Sequence, residues 1–330
     1  MLRGKAIFII SLFAIAAAII FWLLYHKGQA LWPAAQSLTK TAATLTTGGP
    51  PVKPAMKRVR TAQGEIEIPV EPKRIVALYY LGHLLTLGVT PVGASQAELE
   101  YTFLKEKVAG IANVGQSLEK IAALEPDLII AIDRQNYEQL AKIAPTVVIP
   151  WDHKDVYEEL RELAALLNKN QAAETWITAF EIKAERARQK LAGAIAASET
   201  VGIYEIWGKG VWLINIDYGR GARNLYKTFQ LKPPETAAKY IIAKGDGINL
   251  SLETLPQYAA DHMFVLVSPA QGGQKQAGEI MESDIWRNLP AAKNNHIYEI
   301  DRKEFWPNDP ISLENQLDIQ LEMLLSRNKK

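Results

Sequence analysis

Apolar residues in this chain fall into short runs separated by amphipathic stretches, a rhythm that starts near Ile75 and continues almost to the C-terminus. Runs at Ile75–Leu78, Pro91–Ala94, Leu128–Ile132 and Thr146–Ile149 have the length and β-branched content of buried strands. Helical spacing occupies the intervals, at Leu81–Leu87, Tyr101–Val108, Leu118–Leu124 and Asn136–Ile143, followed by Val156–Leu167. After Ser198 the alternation resumes. Strands are expected at Val201–Ile206, Val211–Ile216, His262–Val267 and Ile297–Ile300, and helices at Ala222–Phe229, Leu252–Ala259, Ile280–Leu289 and Ser312–Leu325. Alternating β and α units predict two α/β lobes, each with a mainly parallel central sheet covered by helices.

Between the lobes, residues 171–197 contain no proline and a single glycine, Gly193. Trp176, Phe180, Ala184, Ala187, Leu191 and Ile195 form one apolar stripe, with charged residues on the other positions. This predicts one α-helix of about 25 residues, roughly 38 Å long, which is enough to bridge two lobes. With no proline hinge, it also predicts little closure.

A repeated pattern supports the duplication. Ser117-Leu118-Glu119 leads to Asp127 and a buried-strand run, and Ser251-Leu252-Glu253 leads at the same offset to Asp261 and another. Each Ser can cap a short helix, each Glu occupies the first turn where the dipole favours negative charge, and each Asp turns the chain into the sheet.

Ahead of the lobes, Ala6–Tyr25 is apolar except for Ser11, with Arg3 and Lys5 before it and His26-Lys27 after it. About 20 such residues match the roughly 30 Å hydrocarbon core, and the flanking charges place the N-terminus inside. Residues 1–27 therefore read as a transmembrane anchor or an uncleaved signal, with a cleaved signal peptide ending near Gly28-Gln29-Ala30 as the alternative. Residues 28–57, rich in Thr, Ala, Gly and Pro, read as a flexible linker. The N-terminal lobe is then 58–168, the inter-lobe helix 169–198 and the C-terminal lobe 199–330, all at the membrane on its extracytoplasmic side. The chain has no cysteine, so neither a disulfide nor a lipidated thiol is available to it.

Charge is nearly balanced at +1, which gives no field for nucleic acid. The five histidines show no metal-ligand spacing, and there is no G-x-S-x-G elbow, phosphate loop or complete dinucleotide glycine motif. Asp152, Asp217 and Asp309 could pair as hydrolytic carboxylates, so a membrane-anchored two-domain hydrolase stays as an alternative. A binding protein without catalysis, intrinsic cofactor or protein-held metal is the preferred reading.

Aromatic and basic residues gather where strands are expected to end. Tyr79 and Tyr80, Arg134, and Trp151 do so in the first lobe; Trp207 and Lys209, Tyr218 and Arg220, and Arg302 with Trp306 do so in the second. Ligands of open α/β sheets bind outside the carboxyl ends of the strands, so these ten residues are candidates for lining an inter-lobe cleft. Arg220 stands out because it lies between Gly219 and Gly221, where guanidinium and backbone amides can converge on an anion; the bland alternative is a turn closed by Asp217.

These residues resemble a known family, the extracytoplasmic substrate-binding proteins of iron-siderophore ABC importers in the rigid-helix class that also serves haem and cobalamin. The resemblance runs from about Gly64 to Leu325. It is carried by Pro72-Lys73-Arg74-Ile75-Val76-Ala77-Leu78, Leu87-Gly88-Val89-Thr90-Pro91-Val92-Gly93, Asn113-Val114-Gly115 with Leu124-Glu125-Pro126-Asp127, and Trp286-Arg287-Asn288-Leu289-Pro290. It implies a monomeric receptor for a ferric siderophore, whose iron is held by the siderophore's own oxygens, and delivery to an ABC permease dimer with its ATPase subunits. It implies further that Glu119 and Glu253 dock arginines of the two permease subunits and that Arg220 reaches the ferric complex. A catecholate ligand is preferred, with haem or cobalamin as alternatives. Gram-positive members usually carry a lipidated cysteine, which this chain lacks.

Overall fold

The computed structural model describes residues 54–61, 63–151, 154–242, 247–270 and 272–327. The expected membrane helix and most of the linker lie outside the described residues. Among the described residues, no helix is long and apolar enough to cross a membrane.

The chain enters through an antiparallel hairpin, β1 (Met56–Thr61) and β2 (Gly64–Pro69), so the linker gives way to structure slightly earlier than residue 57. Val59 and Ile66 share one face of this hairpin and pack on the first-lobe core. β3 (Ile75–Ala77), β4 (Gly93–Ala94), β5 (Ala112–Asn113), β6 (Leu128–Ala131) and β7 (Thr146–Val148) then form a parallel sheet in the order β5-β4-β3-β6-β7. The helix Val156–Leu167 has the expected bounds and opens on a capping box, with Asp155 accepting from Tyr157 N and Glu158 reaching back to Asp155 N.

In the second lobe, β8 (Val201–Trp207), β9 (Gly210–Leu213), β10 (Ile248–Leu250), β11 (His262–Val267) and β12 (Ile297–Glu299) order as β10-β9-β8-β11-β12. β8, β11 and β12 are parallel neighbours, whereas β9 runs antiparallel to both β8 and β10. Alternate residues of β8 serve two cores: Val201 and Ile203 face one, Tyr204 and Ile206 the other.

The repeated aspartates do the same work in both lobes. Asp127 accepts Lys73 N at 2.7 Å and Arg74 N at 2.9 Å, directly ahead of β3. Asp261 accepts Thr200 N and Thr200 Oγ1, both at 2.8 Å, directly ahead of β8. Each carboxylate thus satisfies backbone donors at the entry to its lobe's central strand.

Helix boundaries depart from expectation for local reasons. The inter-lobe helix is Asn170–Leu191, 22 residues, and the chain leaves it at Ala192 and turns through Gly193 at φ +81°, so Ile195 does not continue the stripe on the helix. Pro256 limits the expected Leu252–Ala259 helix to a 3₁₀ turn at Leu255–Gln257. Ser283 turns extended and caps Trp286 N, dividing the expected Ile280–Leu289 helix into Gly273–Glu282 and Asp284–Arg287. Ala222–Phe229 is reduced to a π-type turn at Asn224–Thr228, and the helix Glu235–Ile242 was not anticipated.

Two helices, not one, tie the lobes together. Ala173 and Ile177 of Asn170–Leu191 lie in the first-lobe core, while Phe180, Ala187 and Leu191 lie in the second. The C-terminal helix Pro310–Arg327 returns across the same boundary: Ile311 packs on the first-lobe cluster of Leu81, Ala94, Leu104 and Ile111, and Leu313, Leu317 and Leu324 sit in the second core. Where this helix starts, Asp309 presses so closely on Gly82 of the first lobe that a Cβ there would collide with its carboxylate.

Candidate functional site

The first lobe contributes Trp151 just after β7, with 36% of its surface exposed. Its ring centroid lies 5.4 Å from that of Tyr218 in the second lobe, which brings an aromatic from each rim into contact. Tyr218 leads into Gly219, Arg220 and Gly221, all with positive φ (82°, 58° and 77°). Gly219 is favoured by its positive φ, and Gly221 is also required sterically, since a Cβ there would lie 2.8 Å from Gln320 Nε2 and 3.0 Å from the Phe305 ring. Arg220, a non-glycine in the left-handed region, is held there by what its side chain meets.

That side chain points inward. Arg220 Nε and Nη2 donate to Glu205 Oε2 at 3.2 and 3.1 Å, and Nη1 donates to the Tyr218 carbonyl at 3.1 Å. Its guanidinium lies 3.7 Å from the centroid of Trp306 and 4.6 Å from that of Tyr218. Arg302 approaches the other Glu205 oxygen at 3.5 Å and stacks on Trp306 at 3.6 Å. Two cations thus share one buried carboxylate and one indole, and the cluster carries a net single positive charge. Burial lowers the pKa of Arg220, with Glu205 opposing the effect, and the guanidinium stays charged.

Of the residues anticipated for the cleft, Trp151, Tyr218, Arg220, Arg302 and Trp306 come together. Trp207 closes β8 one pleat beyond Glu205, 38% exposed, and Lys209 is exposed on the following turn. Arg134 is exposed after β6, beside a shallow hollow shared with Gln63, Asn136 and Tyr137. Tyr79 is half-buried, edge-on to Tyr80 at 4.9 Å, and burial pushes its phenol well above the usual range. Tyr80 is a correction: at 1% exposure it donates its hydroxyl to the Ile149 carbonyl at 3.0 Å, a core hydrogen bond instead of a ligand contact. Asp217 does not close the Arg220 turn either, because it pairs with Lys227 at 3.1 Å.

Two participants escaped the sequence. Glu205 is the one carboxylate in the strand Val201–Trp207, placed on the face that Val201 and Ile203 give to the core; that polar interruption was the available signal. Tyr101, half-buried, has its phenol raised by burial and by Glu98 and Asp309, with Arg220 and Arg302 acting in the opposite sense. Guanidiniums, indoles and phenols at this rim suit the outside of a bulky ligand; they are not a ligand set for a bare cation.

Glu119 and Glu253 are both fully exposed; a hydrogen bond from Ser117 lowers the carboxyl pKa of Glu119, whereas at Glu253 its own backbone N–H lowers it first and Ser251 second. Ser117 Oγ meets Glu119 Oε2 at 2.8 Å.

Two α/β lobes linked by long helices, with an aromatic and cationic rim at the strand ends, are the architecture of a two-lobed binding protein. Residues 75–304 match the model of the periplasmic binding protein family, and the chain belongs to that family. It is 39% identical over 285 residues to the iron(3+)-hydroxamate-binding protein YxeB of Bacillus subtilis, covering 84% of this chain and 89% of the relative. It is 36% identical over 272 residues to the iron(3+)-hydroxamate-binding protein FhuD of the same organism, covering 80% and 85%. Among solved structures, a FhuD fold-family component of a Fep/Fec-like ferrichrome ABC transporter from B. subtilis superposes with a TM-score of 0.75 at 36% identity, covering 81% of this chain and 99% of the other. FhuD2 of Staphylococcus aureus with bound ferrioxamine B gives 0.70 at 27%, covering 78% and 100%.

Proposed function

We propose that this protein is the extracytoplasmic receptor of an ABC importer and that it binds a ferric hydroxamate siderophore between its lobes. The observation that carries this reading is the contact of Trp151 with Tyr218 across the lobe boundary, beside the Arg220–Trp306–Arg302 stack. Aromatic faces and a single net positive charge suit a ferric tris-hydroxamate, in which three singly charged groups neutralise the iron. A triply anionic tris-catecholate would need more uncompensated cations than Arg220 and Arg302 offer while they share Glu205. The relatives named for hydroxamate binding support the same shift away from catecholate.

In this reading the siderophore's oxygens keep the iron, Trp151, Tyr218 and Trp306 cover its organic shell, and Arg302, 30% exposed, offers donors to its outer oxygens. Glu119 and Glu253 present matched charges to the two permease subunits, steering an encounter that weakens with salt.

Titration of tryptophan fluorescence with a ferric hydroxamate, a ferric catecholate, haem and cobalamin tests the proposal. Saturable quenching by the hydroxamate is expected, reduced at least tenfold in affinity by Trp151→Ala. Tight binding of only the catecholate, haem or cobalamin would overturn it.

A further inference from the structure

At the opposite end of the second-lobe sheet, three side chains converge from three neighbouring strand entries. Glu199 precedes β8, His262 opens β11 and His296 precedes β12, and the parallel register that pairs Met263 with Ile297 sets the two histidines side by side. One ligand atom from each lies within 4.8 Å of the others. His262 is fully buried; its Nδ1 contacts the Tyr298 hydroxyl at 2.9 Å, and its Nε2 has no hydrogen-bond partner. That Nε2 faces Glu199 Oε2 at 3.6 Å, and His296 Nδ1 is likewise buried without a partner.

We propose that Glu199, His262 and His296 form a site for a borderline divalent transition metal, with zinc as its probe. Two imidazoles and one carboxylate are a recurrent zinc ligand set that leaves a position for water. Ligand atoms about 2.1 Å from a tetrahedral zinc stand roughly 3.4 Å apart, close to the separation of His262 Nε2 from Glu199 Oε2. Burial first, and then His296, holds the His262 imidazole below its usual pKa, with Glu199 acting in the opposite sense. Tyr298 orients that ring through Nδ1, the support that metal-binding histidines commonly receive. The two rings stack at 4.1 Å within 10° of parallel, so sharing a metal requires His296, the more exposed of the two, to rotate its ring out of the stack. Such a cation pins β8, β11 and β12 together and is separate from the iron carried between the lobes.

Equilibrium dialysis of untagged protein against zinc tests the site, with Glu199→Gln and His296→Gln chosen because both positions are only partly buried. One equivalent of zinc is expected in the wild type, with imidazole scattering at the zinc absorption edge, and an affinity at least about tenfold weaker in each variant. Thermal unfolding is expected to shift upward with zinc in the wild type and by less in the variants. Absence of saturable one-equivalent uptake by the wild type, or unchanged uptake by either variant, would overturn the proposal.

Discussion

Glu205→Gln probes the buried centre of the Arg220–Trp306–Arg302 cluster. The Arg220–Glu205 pair is 3.1 Å long, with side-chain exposures of 5% and 2%, so solvent screens it little. At an effective dielectric of about 20, unit charges at that distance attract by roughly 5 kcal/mol, most of which offsets the desolvation of both groups. Removing one member of a buried pair costs about 3–5 kcal/mol because the other charge is left without compensation. The Gln amide oxygen still accepts from Arg220, and a hydrogen bond to a charged donor retains about 1.5–3 kcal/mol. Arg302, 30% exposed and 3.5 Å away, can turn to water and adds only about 0–1 kcal/mol. The expected loss of unfolding free energy is therefore about 2–3 kcal/mol, read from urea titration at unchanged slope. A double-mutant cycle with Arg220→Met should return a coupling of at least about 1.5 kcal/mol. A Glu205→Gln variant within about 0.5 kcal/mol of the wild type would refute the reasoning, since Arg220 would then be held by its aromatic neighbours alone.

Two further outcomes follow from groups outside this cluster. Glu98 is buried and accepts Leu81 N at 3.0 Å, and desolvation raises its pKa from 4.5 to about 8. A carboxyl raised on folding contributes stability that is fully present below its unfolded pKa and is lost as pH rises through the folded value. Unfolding free energy should therefore fall between about pH 4.5 and 8, and Glu98→Gln should flatten that slope; an unchanged slope would rule out Glu98 as its source. Reversing Glu119 and Glu253 together to lysine should leave siderophore titrations unchanged and stop uptake in cells, and normal uptake would remove their docking role.

Strand positions were legible because β-branched apolar runs have few other uses, and the His262–Val267 strand has the expected bounds. The two aspartates were legible as turns, though not their shared role of fastening each lobe's central strand, which needs partners distant in sequence. Helix ends were less legible, because Ala192, Ser283 and Pro256 act through local backbone geometry that periodicity does not register. At the site, the strand-end rule found the aromatic and cationic rim but treated Tyr79 and Tyr80 alike. Tyr80 takes φ +72° at the start of helix Leu81–Thr86 and turns inward, whereas its neighbour stays half-buried at the surface. Glu205 was passed over because an isolated carboxylate in an apolar strand offers no motif, only a misfit. The histidine pair was invisible for a related reason: parallel register, not spacing, sets His262 beside His296.

The links between the lobes bear on how a loaded receptor differs from an empty one. Helix Asn170–Leu191 is embedded in both cores, and Pro310–Arg327 crosses the same boundary with Asp309 packed on Gly82. Asp155 of the first lobe adds ion pairs to Arg223 at 3.0 Å and Lys227 at 2.9 Å in the second. Opening the lobes by a large hinge would break buried contacts at three places, each of which would have to be repaid by ligand contacts at the rim. The motion that this framework permits is therefore small, and under the proposed function the ligand is admitted near the Trp151–Tyr218 contact, between an exposed indole and a half-buried phenol. Under the docking proposed for Glu119 and Glu253, their separation then changes little on loading. A permease would distinguish loaded from empty receptor by what the ligand adds at the cleft mouth more than by a change in the spacing of the two carboxylates.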